Sequence, residues 1–339
     1  TILADQHFRN FSGRFREFPV VIKVISSFET KASQKKILDE LSRGKVDIII
    51  GTHRLLQKDV KFANLGLLIV DEEHRFGVKD KDTIKSMTKG VHALMLSATP
   101  IPRTLYQSLS CLRGMSVIES PPVGRLPIST FVRPYDDRTV TDAVRYELAR
   151  GGQVYYVHNR VRTIETKAAR LKQLMPELRI AVVHGQLRAE SVEKHMWDFL
   201  NRKYDMLLAS TIIESGLDIP SVNTLLVENA HELGLAQLYQ LRGRIGREKQ
   251  KAYCYLFHPG WMRGKAEGGR VKGKEGGTET APISEDAAKR LSALEEFTEL
   301  GSGFRLAMRD LEIRGAGELL GVRQHGFINT IGLEMYIKL

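Results

Sequence analysis

Short, nearly unbroken apolar runs rich in β-branched residues recur along the chain: VVIKVI (20–25), VDIIIGT (46–52), LGLLIVDEEH (65–74), HALMLSAT (92–99), STFVRP (129–134), GQVYYVHN (152–159), RIAVVHG (179–185), DMLLAST (205–211), NTLLVENA (223–230) and KAYCYLF (251–257). A strand with one face in water alternates apolar and polar residues, so runs this continuous predict strands buried on both faces. Between them, KASQKKILDELSRG (31–44), DDRTVTDAVRYELARGG (136–152) and RAESVEKHMWDFLNR (188–202) show helical periodicity, and Gly44 and Gly151 stand where the first two should stop. Strands alternating with helices in this way predict an α/β chain with mainly parallel sheets.

At 339 residues the chain exceeds one ordinary core and suits two α/β domains. The proline-rich, aperiodic ESPPVGRLPIS (119–129) is the natural boundary and hinge, giving a first domain over 1–120 and a second over 121–259. GWMRGKAEGGRVKGKEGGTETAP (260–282) is Gly-rich and basic, which predicts a mobile loop. Ser284 then reads as the N-cap of a helix with Glu285 and Asp286 in its first turn, opening a helical region over 283–339.

Lys and Arg number 51 against 40 Asp and Glu, a net charge of +11 that favours an anionic partner such as nucleic acid, although solubility alone accounts for moderate basicity. Cys111 and Cys254 sit in apolar settings without metal-ligand spacing, as in a reducing compartment. No apolar run is long enough to cross a bilayer, and the opening TILADQHFRNF reads as mid-domain sequence rather than a signal peptide.

Several short motifs carry chemistry. A buried strand ending in DEEH places carboxylates at the carboxyl edge of a parallel sheet, where such folds hold ligands. Asp71 suits Mg²⁺ held through water, and Glu72 suits polarising a water that attacks a γ-phosphate; a solvated acidic turn is the competing reading. QLYQLRGRIGR sets Gln240, Arg244 and Arg247 on a short helix-like segment, where guanidinium forks reach phosphate oxygens in pairs. In SAT (97–99), Ser97 and Thr99 offer hydroxyls to carboxylates on a neighbouring strand, or a helix cap before PIPRTL. In STIIESGLDIP (210–220), Gly216 permits a tight backbone path and Asp218 can orient an arginine or a ribose.

In order, GTHRLL (51–56), DEEH, SAT, HGQ (184–186), STIIESGLDIP and QLRGRIGR (240–247) resemble the motif series of the superfamily-two helicases and translocases, over most of the chain. The resemblance implies two RecA-like domains, with ATP and Mg²⁺ as cofactors. It puts Asp71, Glu72, Gln240 and the arginine fingers Arg244 and Arg247 in the catalytic set, and Glu73, His74, Gly216 and Asp218 around the nucleotide. Ser97 and Thr99 would couple nucleotide state to DNA grip. Thr52, Arg54, Gly185 and Thr211 would hold the DNA backbone without reading bases. GFRLAMRDLEIRGAGELLGVRQHG (303–326) is similar to the TRG motif that follows the motor in double-stranded DNA translocases, which implies a small helical hairpin with Arg314 and Gln324 as coupling residues.

Within that group, DEEHRFGV, GGQVYYVHNRV and GLAQLYQLRGRIGR are most similar to the bacterial, cytoplasmic branch that displaces stalled RNA polymerase and helps recruit excision-repair proteins. The fork-remodelling branch, which typically has DEQH where Glu73 stands here, is the second reading; a non-catalytic DNA-binding or coupling module is the third. The sequence holds no G-x-x-x-x-G-K-[ST] phosphate loop, and neither GGRVKGKEGGT nor GVRQHG follows a strand and opens a helix as such a loop requires. TILADQHF is similar to the segment after the family's second strand. The expectation is therefore a first domain incomplete at its N-terminus and a chain that hydrolyses nothing alone.

Overall fold

The computed structural model describes residues 2–26, 29–72, 76–97, 116, 118, 126–210, 219–247, 250–259, 283–297 and 302–314. The chain divides into two compact units, Thr1–Ala98 and Thr99–Leu339.

Unit 1 runs α1 (Ile2–Arg14), β1 (Ile22–Ile25), α2 (Lys31–Ser42), β2 (Ile48–Gly51), β3 (Leu67–Asp71), α3 (Val78–Met87) and β4 (His92–Leu96). β1 pairs with β2 and β3 with β4, both parallel. Thr30 caps α2, its hydroxyl accepting from the Ser33 amide at 3.2 Å, a device worth about 1 kcal/mol. Gly44 follows that helix at φ +70°, a conformation open to glycine at no side-chain cost. Ile25, Ile37, Leu41, Val70 and Ile84 form the buried interior of this unit.

Unit 2 runs β5 (Ser129–Pro134), α4 (Asp137–Ala149), β6 (Gln153–His158), α5 (Ile164–Leu174), β7 (Ile180–Val183), α6 (Ala189–Leu200), β8 (Met206–Ala209), β9 (Val222–Glu228), α7 (Leu235–Arg242), β10 (Tyr253–His258), α8 (Glu285–Glu296) and α9 (Gly303–Arg314). Its strands form one six-stranded sheet in the order β5-β10-β9-β6-β8-β7. Every pairing is parallel, as the helix-separated strands require. On one face Val154, Tyr156, Met206, Leu208 and Leu226 pack with Val140 and Val144 of α4 and Ile164 and Leu171 of α5. Tyr155 points the other way along the pleat and meets Phe199 of α6, ring centroids 5.7 Å apart. Ser284 caps α8 as the sequence predicts, accepting from the Ala287 amide at 3.2 Å.

The ten expected strands all form, but burial on both faces holds only in part. β6 and β8 are buried at every position. By contrast Leu67 and Ile69 on β3 are 55% and 50% exposed, and Leu94 and Leu96 on β4 are 48% and 41% exposed. The physical reason is register: Leu67 lies opposite His92, Ile69 opposite Leu94 and Asp71 opposite Leu96, so one face of a two-stranded sheet gathers these side chains in the open. The glycine-rich segment 260–282, the helical hairpin beyond Arg314 and most of the proposed hinge lie outside the described residues. Among the described residues no helix is long and apolar enough to cross a membrane.

Candidate functional site

In unit 1 the acidic motif stands at the carboxyl end of β3. Asp71 closes the strand with its side chain half exposed, 3.9 Å from Nε2 of His7 on α1. Glu72 is 8% exposed and adopts φ 53°, a left-handed conformation that costs a non-glycine residue about 1 kcal/mol or more. Its amide still donates to the Leu96 carbonyl at 2.9 Å, extending the β3–β4 ladder by one residue. That bond brings the chain before Ser97 beside the acidic turn, so the neighbouring-strand placement expected of SAT is realised for Ser97, which is exposed. A single accessible carboxylate fits Mg²⁺, which keeps most of its waters and takes one or two carboxylates from protein. Asp71 offers that oxygen, and the buried Glu72 lies next to it on the strained turn.

Thr52 precedes the short 3₁₀ turn His53–Leu56 in extended conformation. The His53 and Phe76 rings meet at a tilt of 38°, centroids 4.6 Å apart. Arg54 is tightly held: its two terminal nitrogens donate to Asp59 at 2.8 and 2.6 Å, and its Nε donates to Oε1 of Gln34 at 3.3 Å. The Asp59 hydrogen bonds raise the guanidinium pKa and hold the carboxyl below its ordinary value.

In unit 2, Gln240 lies on α7, but the helix ends at Arg242. Arg244 and Arg247 follow it in a turn, not on the helix-like segment expected of them. Gly243 closes the helix, and the chain then turns tightly, the Arg244 amide donating to the Leu241 carbonyl at 3.0 Å; beyond it Gly246 holds φ +66°, where an added Cβ would come within 2.8 Å of Ala252 Cβ. Arg244 is buried at 7% exposure and Arg247 is half-buried. Arg242, passed over in reading the motif, is 4% exposed; Nη1 donates to the Leu294 carbonyl of α8 at 2.8 Å, and burial pulls its pKa down. Helical periodicity carried the signal, since Arg242 shares the buried stripe of Leu235 and Leu238.

Gly185 is exposed, and a Cβ there would meet nothing within 4 Å, so backbone approach from outside is open. His184 accepts from the Gln186 amide at 3.4 Å, the local role of a loop-capping histidine. Arg314 is the last residue of α9. Glu73, His74, Thr99, Thr211, Gly216, Asp218 and Gln324 lie outside the described residues.

A further polar cluster, unmarked by any motif, occupies the carboxyl ends of β6 and β9. Glu228 Oε2 accepts from Tyr156 at 3.0 Å and lies 2.9 Å from His158 Nδ1 and 3.0 Å from Lys167 Nζ. Burial works to raise the Glu228 pKa, but the His158 bond and the Lys167 charge hold it below the ordinary value. His158 Nε2 in turn lies 2.8 Å from Thr163 Oγ1, tying the strand end to the turn before α5.

With this geometry in view, comparison with known proteins defines the class. Residues 1–108 match the DEAD/DEAH box helicase family and residues 138–249 the helicase conserved C-terminal domain. The chain carries two RecA-like helicase domains with mainly parallel sheets. More particularly, it is 50% identical over all of its length to the transcription-repair-coupling factor of Haemophilus influenzae, and 49% identical to that of Escherichia coli K12. It spans 28% of the length of each. Among solved structures it is similar to RecG bound to a three-way DNA junction, with TM-score 0.72 and 35% identity, covering 96% of this chain and 40% of that one.

Proposed function

We infer that this chain is the motor segment of an ATP-dependent double-stranded DNA translocase that displaces stalled RNA polymerase in transcription-coupled repair. The observation that carries the reading is 50% identity sustained over the whole chain to a transcription-repair-coupling factor. In this reading Asp71 would hold Mg²⁺ through water, and the buried Glu72 would take the proton of the attacking water. Mg²⁺, when bound, neutralises charge on the phosphates. Arg244 and Arg247 meet the negative charge that develops on the transferring phosphoryl group, with Gln240 orienting them. Glu73, His74, Gly216 and Asp218 contact the nucleotide. Ser97, Thr99, Arg314 and Gln324 pass its state to the DNA grip at Thr52, Arg54, Gly185 and Thr211. RNA polymerase and excision-repair proteins would engage other parts of the full-length protein, in the bacterial cytoplasm.

The similarity to RecG at 35% identity favours a second reading, fork remodelling. Two assays on the full-length protein separate the readings. Turnover of ATP should rise with added duplex DNA, and stalled polymerase should be displaced. Absence of DNA stimulation overturns the motor reading, and unwinding of branched DNA without polymerase displacement favours the second. A fluorescent-nucleotide titration of the 339-residue chain alone tests the expectation that its nucleotide site is incomplete; tight Mg²⁺-dependent binding would contradict it.

A further inference from the structure

The 3₁₀ turn that follows Thr52 and carries Arg54 is tied to the rest of unit 1 in three places. Behind it, Gly51 closes β2 with no room for a side chain: an added Cβ would come within 2.7 Å of Leu55 Cγ and 3.0 Å of the Ile25 carbonyl oxygen. Towards α2, Arg54 is held by Gln34, which itself donates to the carbonyls of Ser26 and Glu29 at 3.1 and 3.2 Å. In the third place His53 reaches the segment that leads from the acidic motif into α3.

That third contact joins two pieces of chain that the sequence keeps apart. Phe76 stands four residues beyond Glu72, and Gly77 is the N-cap of α3. While the His53 ring meets that of Phe76, its Nε2 lies 3.9 Å from Oδ2 of Asp80. The same Asp80 oxygen accepts from the Gly77 amide at 3.3 Å, so it clamps the backbone directly after Phe76. Ile84, buried, anchors α3 below this clamp. Little of this holds the fold together: the His53 side chain is 58% exposed, and an exposed pair at such a distance stabilises weakly. What the contact does is fix the position of the turn against the chain that follows Asp71 and Glu72.

We propose that His53 is a positioning residue that couples nucleic-acid engagement to nucleotide chemistry within unit 1. The turn is stiff, so a phosphate held at Thr52 or Arg54 shifts it as a unit, His53 included. The His53 ring bears on Phe76, and the Gly77–Asp80 clamp makes Phe76 and the start of α3 respond together, four residues from the buried Glu72. An element that couples two sites must have two arrangements, and a ring contact at the surface can shift without disturbing the core. The inference rests on the proposed motor function and adds to it a route from DNA to ATP that lies wholly inside unit 1.

The test uses the full-length protein, duplex DNA and a non-hydrolysable ATP analogue. Coupling between two binding sites is reciprocal, so the factor by which the analogue changes duplex affinity equals the factor by which duplex changes analogue affinity. In His53→Ala that factor should shrink towards one from both directions. Stimulation of ATP turnover by duplex should fall by about five- to tenfold, while basal turnover and duplex affinity without nucleotide stay within about twofold of wild type. His53→Tyr, which restores a ring, should recover most of the stimulation. Phe76→Ala should reproduce the loss, and the His53→Ala, Phe76→Ala double variant should lose no more than either single change. Additive losses in the double variant, or no recovery in His53→Tyr, overturn the ring contact. A merely structural His53 predicts that basal and stimulated turnover fall together, and a His53 that itself grips DNA predicts weaker duplex binding with and without the analogue; either result overturns the proposal. Full stimulation in His53→Ala overturns it too and leaves the motor reading standing. Wild-type turnover that ignores duplex sinks both.

Discussion

The two units are built from the same kind of strand and differ in what covers it. In unit 2 the MLLA of β8 and the VYYV of β6 are buried at every position, within a six-stranded sheet. In unit 1, among the described residues, the largely apolar LLIVD and HALML pair with each other in a two-stranded sheet and leave Leu67, Ile69, Leu94 and Leu96 about half in water. Apolarity therefore reports the tendency of a strand to be buried, while the number of neighbouring strands and covering helices decides whether it is. The same contrast separates the candidate sites: Asp71 is half exposed in unit 1, whereas Arg244 of unit 2 is nearly sealed.

Equal truncations in the two units should break this comparison most sharply. Leu208→Ala, at a position with no exposure, should cost about 2–5 kcal/mol in urea unfolding, while Ile69→Ala, half exposed, should cost less than about 1 kcal/mol. Comparable losses would mean that the β3 face is covered in solution. A smaller separation is expected at glycines. Gly246→Ala in unit 2 meets both a positive φ and Ala252, and should cost about 1–3 kcal/mol; Gly66→Ala in unit 1, with nothing within 4 Å, should be nearly neutral.

The smallest effect is in pH dependence. Burial holds His231 and His258, both in unit 2, below the ordinary histidine value of 6.5. Native unit 2 thus takes up their protons less readily than the unfolded chain does. Their contribution is intact above about pH 6.5 and is lost as pH falls through their depressed native values. Hydrogen exchange on amides of β9 and β10 should accelerate between about pH 7.5 and 5.5, after correction for intrinsic rates, and His231→Gln should flatten that dependence. An unchanged profile in the variant would remove His231 from the account.

Much of this architecture was legible in the sequence because periodicity is local. The ten strands, the stop at Gly44 and the Ser284 cap each follow from a few neighbouring residues. The site was legible only as far as its motifs are local too. DEEH marks a strand end correctly, but the left-handed turn at Glu72 belongs to the close ladder with Leu96, which no run of letters shows. QLRGRIGR marks the arginines, yet the helix ends at Arg242, before Arg244, and the buried role of Arg242 depends on Leu294, 52 residues away. The Glu228 cluster was invisible for the same reason: Tyr156, His158 and Lys167 become neighbours of Glu228 only when β6 pairs with β9.

Glu72→Gln in the full-length protein is the decisive test of ATP chemistry at the acidic turn of unit 1. Amide for carboxylate keeps the size of the side chain and removes the proton acceptor, so turnover on duplex DNA should fall by about 10²–10⁴-fold while nucleotide binding persists. Turnover within a few-fold of wild type, with binding intact, would contradict it.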